Sequence, residues 1–124
     1  MGANIEQLAR RVFAAYPAGD RAALEEILAD DFHFTSPYDD AIDRDEYFRR
    51  CWPNHERMRA IKLHRVLVDG DTAFVTYELD LKDGRTVHNA EVLQFRGDRL
   101  AQVFVHFGAE HDAKGKFVAM KKPG

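Results

Sequence analysis

Three short glycine-bearing segments divide the second half of the chain into four extended runs. They are Asp69–Asp71 (DGD), Lys82–Arg85 (KDGR) and Arg96–Arg99 (RGDR). A glycine there supplies the positive φ of a tight hairpin turn. Strands of about ten residues joined so tightly can pair only antiparallel, because parallel neighbours need a long crossover. From Arg59 onward the sequence therefore predicts a four-stranded antiparallel meander, with no helix between Val66 and Phe107.

The first part of the chain has a different period. Ile5, Leu8, Val12 and Ala15, flanked by Ala9 and Tyr16, follow the spacing of an amphipathic helix. Pro17 and Gly19 end it, and Asp20 can cap a second helix carrying Leu24, Ile27 and Leu28 on one face. Phe32 to Ser36 alternates as a strand and Pro37 closes it. Asp43 and Glu46 have the spacing of a capping box for a third helix through Trp52, which Pro53 ends. Helices followed by a long antiparallel sheet make an α+β layout, with the helices covering one sheet face.

At 124 residues the chain is expected to be a single domain, 1–124, with weak patterning in the tail 109–124 that suggests mobility. Its 21 acids and 18 bases are interspersed, and the only basic run is Lys121–Lys122, so no nucleic-acid partner is expected. No apolar run is long enough to span a membrane. The N-terminus lacks the apolar segment of a signal peptide, and Glu6 occupies the position where a myristoylation site after Gly2 needs Ser or Thr. With one cysteine, Cys51, a cytoplasmic location is the expectation.

The order of helix, AGD, helix, LADDF, a Ser-Pro strand exit, a capped helix and four strands ending in VHFG resembles the NTF2-like superfamily, and within it the SnoaL-like branch. The resemblance covers Ile5 to Gly108. It implies a cone: a curved antiparallel sheet wrapped around three N-terminal helices, with a pocket inside. The fold hosts isomerases, cyclases, dehydratases and non-catalytic binding modules, so it does not by itself assign an activity. Laid on the ketosteroid isomerases of the superfamily, the chain carries Val12 where they have an oxyanion tyrosine and Ser36 where they have the general-base aspartate. Glu91 stands where they have a second oxyanion acid. Two of the three chemistries are missing, which argues against steroid isomerisation by that route.

What remains is the acid. In TVHNAEVLQF, Val87, Asn89, Glu91, Leu93 and Phe95 share one strand face. The resemblance turns that face to the inside of the cone, where desolvation would raise the Glu91 pKa and let a neutral carboxyl donate to a bound carbonyl oxygen. Asn89 is its expected hydrogen-bond partner. The alternative is a structural glutamate paired with an arginine or hydrogen-bonded in the core. Ser36 and Tyr38 are expected to look into the pocket, while Asp39 and Asp40 fall at its rim or in a solvated loop. Tyr47 and Trp52, with Phe48, either line the pocket from the third helix or pack as core. Cys51 has no base partner in the sequence and reads as a small hydrophobe.

The six histidines form no HxH, HExxH or Cys/His cluster, so no metal is expected. No GxSxG, phosphate-loop or GxGxxG motif points to a cofactor. Strand parity sends His88, Gln94, Gln102, Phe104 and His106 to the convex face, whose mixture of Phe, Gln and His suggests a homodimer interface. Two function classes remain open. One is a cofactor-independent acid/base enzyme acting on a small apolar carbonyl compound. The other is a non-catalytic ligand-binding or dimerisation module.

Overall fold

A computed structural model describes residues 4–120. Expectations concerning Gly2 and Lys121–Lys122 lie outside the described residues. Helix α1 (Ile5–Ala18) starts at Asn4, whose side chain accepts from the Gln7 amide, and ends at Gly19 with φ 66°. That left-handed residue sends its N–H back to the Ala15 and Tyr16 carbonyls, so Gly19, with Pro17 inside the last turn, closes the helix. Asp20 caps α2 (Arg21–Ile27) through the Ala23 amide, and Asp43 caps α3 (Arg44–Arg50) through the Glu46 amide. A 3₁₀ turn at Trp52–Arg57 follows α3, with Pro53 near its start. No helix among the described residues is long and apolar enough to cross a membrane.

The expected meander is present as β3 (Met58–Asp69), β4 (Thr72–Leu81), β5 (Thr86–Arg96) and β6 (Arg99–His111), each antiparallel to the next. The sheet as a whole is mixed, which corrects the expectation of a purely antiparallel one. Strand β1 (Leu28–Ser36), longer than Phe32–Ser36, lies parallel to β6, with Phe34 opposite Val103 and Thr35 opposite Phe104. The pairing is sterically simple because α3 and the whole meander intervene and serve as the crossover. A short β2 (Asp39–Asp43), where a loop was expected, folds back on β1, giving the order β2-β1-β6-β5-β4-β3. From Gly108 the chain makes a last hairpin. There β7 (Phe117–Val118) pairs with Glu110 and His111, so the weakly patterned tail contains paired structure up to that point.

The helices pack on the concave face. Phe13 of α1 sits on the Tyr77 ring at 5.0 Å, and Phe32 meets Tyr47 of α3 at 5.1 Å. Buried Ala73, Val75, Leu93, Phe95, Val103 and Val105 complete the core on the side strand alternation assigned to it. One irregularity matters for the site. The β5–β6 register shifts between Val87 and Asn89, so β6 carries one extra residue there. Gly108 lies in this bulge, where a Cβ atom would sit 2.3 Å from the His88 carbonyl oxygen. Only glycine permits that approach.

Candidate active site

Between the concave sheet face and helices α1 and α3 lies a cavity of about 770 Å³. Its wall is mostly apolar, and its central polar group is Glu91 on β5. The Glu91 side chain is half-buried, and among the described residues the one polar group that hydrogen-bonds it is the Tyr77 hydroxyl, which donates to Oε2 at 2.5 Å. Burial drives the carboxyl from 4.5 to about 7, and the Tyr77 hydrogen bond pulls in the opposite direction without cancelling it. Of the two alternatives for Glu91, the ion pair with arginine is not what the chain builds. The partner is a neutral phenol.

Tyr77 is in turn held by Asn89, whose Nδ2 donates to the phenol oxygen at 3.3 Å, while Asn89 Oδ1 accepts from the Gly108 amide at 3.4 Å. Glu91, Tyr77, Asn89 and the bulge therefore form one chain of hydrogen bonds across β4, β5 and β6. Burial and the neighbouring Glu91 raise the Tyr77 pKa far above that of a free phenol, so the hydroxyl stays a donor. Sequence reasoning did not single out Tyr77, although a signal existed. Counting back from the turn in which the Leu81 amide bonds the Arg85 carbonyl places Tyr77 opposite Asn89 and one step diagonal to Glu91.

The other candidates are divided. Ser36 lines the cavity, but its hydroxyl is committed, donating to Asp39 Oδ2 at 2.7 Å and accepting from the Tyr38 amide. Asp39 is not a rim residue: its side chain is 9% exposed, lines the cavity and pairs with Arg50 at 3.0 Å, whereas Asp40 is exposed. Strand β2 accounts for the difference, because its hairpin folds Asp39 inward against α3. Tyr38 stands at the mouth, its ring tilted against that of Phe107 at 5.6 Å. Tyr47 lines the cavity with a phenol that burial, and then the nearby Glu91, keep protonated. Trp52 is not part of the cavity wall. It packs between Tyr16 at 5.2 Å and His55 at 4.4 Å, at the start of the 3₁₀ turn and no longer on α3. Cys51 is in the wall, half-buried, with its thiol pushed up to about 12 by burial and Asp39, so it is a poor nucleophile. Val12 lines the cavity without a donor, and the hydroxyl beside the acid comes from β4 instead of α1.

Among the described residues no group of three or more His, Cys, Asp or Glu side chains is placed to hold a metal ion. His64, His88 and His111 do form a row across the sheet, at 6.1 and 5.8 Å between ring centres.

The profile of the SnoaL-like domain matches residues 9–103. No functionally curated protein matches the sequence. Among solved structures, a protein provisionally named a SnoaL-like polyketide cyclase from Jannaschia sp. CCS1 is 14% identical, with a TM-score of 0.73 over 86% of each chain. A protein provisionally named a ketosteroid isomerase from Kribbella flavida is 20% identical, with a TM-score of 0.72 over 97% of this chain and 82% of that one. A de novo designed protein with a curved β-sheet reaches 0.75 at 12% identity, over 84% of each chain. At such identities the likeness is one of fold, and a fold does not by itself assign an activity.

Proposed function

The chain belongs to the SnoaL-like domain family, and from that premise we propose that it binds a small, largely apolar carbonyl compound in its cone and moves a proton on it with Glu91. One observation carries the reading: a half-buried carboxyl faces the cavity with a phenol hydroxyl as its one hydrogen-bond partner among the described residues, and burial brings it to about 7. Both its forms are then populated near neutrality, as an acid/base group requires. The neutral carboxyl gives its proton to the carbonyl oxygen. The carboxylate it leaves, held by the Tyr77 hydroxyl, takes a proton from the adjacent carbon, and the product is the enol. Tyr47, Tyr38 and the apolar wall would orient the molecule. Ser36 and Asn89, whose hydrogen bonds are largely spoken for, would act through Asp39 and Tyr77.

A specific observation favours a second reading, that of a non-catalytic binding module. Glu91, Tyr77 and Asn89 satisfy one another without a ligand, as a purely structural polar network would. The discriminating experiment is solvent deuterium uptake beside the carbonyl of bound ketones, followed by NMR. Uptake accelerated by the protein and lost in Glu91→Gln supports the enzyme. Binding without accelerated uptake leaves the module.

A further inference from the structure

The mouth of the cavity is ringed by large apolar side chains left in water. Tyr38 and Met120 are each 78% exposed, Phe117 is 61% and Phe107 40%, yet all four line the same cavity as Glu91. Two come from one wall, where Tyr38 meets Phe107 with tilted rings, and two from the C-terminal segment, Phe117 on β7 and Met120 just after it. The hairpin is fixed in place. Glu110 pairs with Arg85 at 3.3 Å, and Gly84 lies so close to Ala113 that a Cβ there would come within 2.7 Å of the alanine methyl. Arg85 and Glu110, both in the cavity wall, thus neutralise each other, and the four collar side chains carry no charge.

We infer that the ligand is a long apolar molecule whose polar end reaches Glu91 and Tyr77 and whose body runs outward along the cavity and between the collar residues. The inference rests on the carbonyl reading for its polar end and on the collar for its length. Along β5 the path from Glu91 to Val87 covers four residues, about 14 Å at strand rise. Val87 lies opposite Glu110, and Glu110 opposite Val118, so the path ends against the hairpin. Leu79, Val87 and Phe107 line it with hydrocarbon, and the one polar side chain on β5 along it, Asn89, is engaged by Tyr77 and Gly108. Exposed apolar side chains in such a cluster mark a surface that is covered in use. The collar is continuous with the cavity, so its occupant is a molecule that also fills the cavity. A second protein copy laid across the mouth would leave the space behind it empty.

The test is a series of methyl ketones of increasing length, butanone, heptanone and undecanone, titrated calorimetrically into the wild type and into Phe117→Ser/Met120→Ser. Both substituted side chains are largely exposed, so the variant folds as the wild type does. Affinity is expected to rise about fourfold per methylene, the equivalent of ~0.8 kcal/mol, and the double variant to lose the gain for undecanone while leaving butanone unchanged. Undecanol serves as a carbonyl-free control. If it binds and the ketones gain nothing over it, the carbonyl reading fails and the collar inference stands. Affinity independent of chain length for ketones and alcohols alike overturns the inference. So does a wild type that self-associates through the collar and is made monomeric by the double variant.

Discussion

The Tyr77 hydroxyl donates to the Glu91 carboxyl at 2.5 Å from the neighbouring strand, with no arginine or lysine of the described residues at the pair. An acid so placed is partly desolvated and only partly compensated, which is the physical origin of its raised pKa. The bond ties the behaviour of Glu91 to a residue on another strand, and the bulge at Gly108 ties that residue to a third.

Removing the phenol should expose the size of that coupling. In Tyr77→Phe the hydrogen bond that favours the carboxylate is gone, so the Glu91 pKa should rise above its value of about 7. Titration by carbon-detected NMR of the Glu91 carboxyl checks this. A fall in pKa would mean that water enters and resolvates the site.

Stability should carry the same signature. A carboxyl whose pKa is raised in the folded state stabilises the fold relative to an ordinary one only while it stays protonated. For Glu91, ionisation of the unfolded chain begins near 4.5 and of the folded chain near 7, so stability is lost across that window as pH rises. Glu91→Gln removes the titration. Its stability relative to the wild type should therefore improve between pH 4 and pH 8 by up to about 3 kcal/mol, at ~1.4 kcal/mol per pKa unit. Urea unfolding of both proteins at the two pH values measures the difference, and parallel curves would contradict the assignment.

The bulge should tolerate no side chain. In Gly108→Ala the new methyl meets the His88 carbonyl oxygen, which the sheet holds in place. A destabilisation of about 1–3 kcal/mol, the scale of overpacking, is expected in denaturant titrations, together with a shifted Glu91 titration because Asn89 loses its Gly108 partner. Wild-type stability in this variant would show that the bulge relaxes freely.

The convex sheet face is expected to pair two copies of the chain. Register aligns Leu67, Phe74, Val92 and Phe104 in one row across four strands, with Leu67 63% and Phe74 44% exposed. His88, Gln94, Gln102 and His106 have the same parity and flank the row. Covering such a face by two-fold pairing is the common solution. Light scattering should find a dimer at micromolar concentration and a monomer for Phe74→Asp. A wild-type monomer would refute the interface.

What the sequence by itself determined is local and periodic. The glycine turns, the alternation of Val87, Asn89, Glu91, Leu93 and Phe95 and the capping of the helices by Asp20 and Asp43 all follow from spacing along one segment. Each is set by short-range geometry: side chains alternate on a strand, and a helix repeats every few residues. What only the tertiary structure decided depends on which segments meet. The parallel docking of β1 on β6, the inward fold of Asp39, the removal of Trp52 from the cavity and the partnership of Tyr77 with Glu91 join residues on different segments. The parallel docking spans the longest separation, with α3 and the whole meander between its strands. The Tyr77 pairing was countable from the KDGR turn, but its meaning was not, because a phenol among core residues has no chemical role until a carboxyl is found beside it. Burial made the difference: the same glutamate on the solvent face would be an ordinary acid, and it is its place inside the cavity, which segments distant in sequence enclose, that withdraws its water.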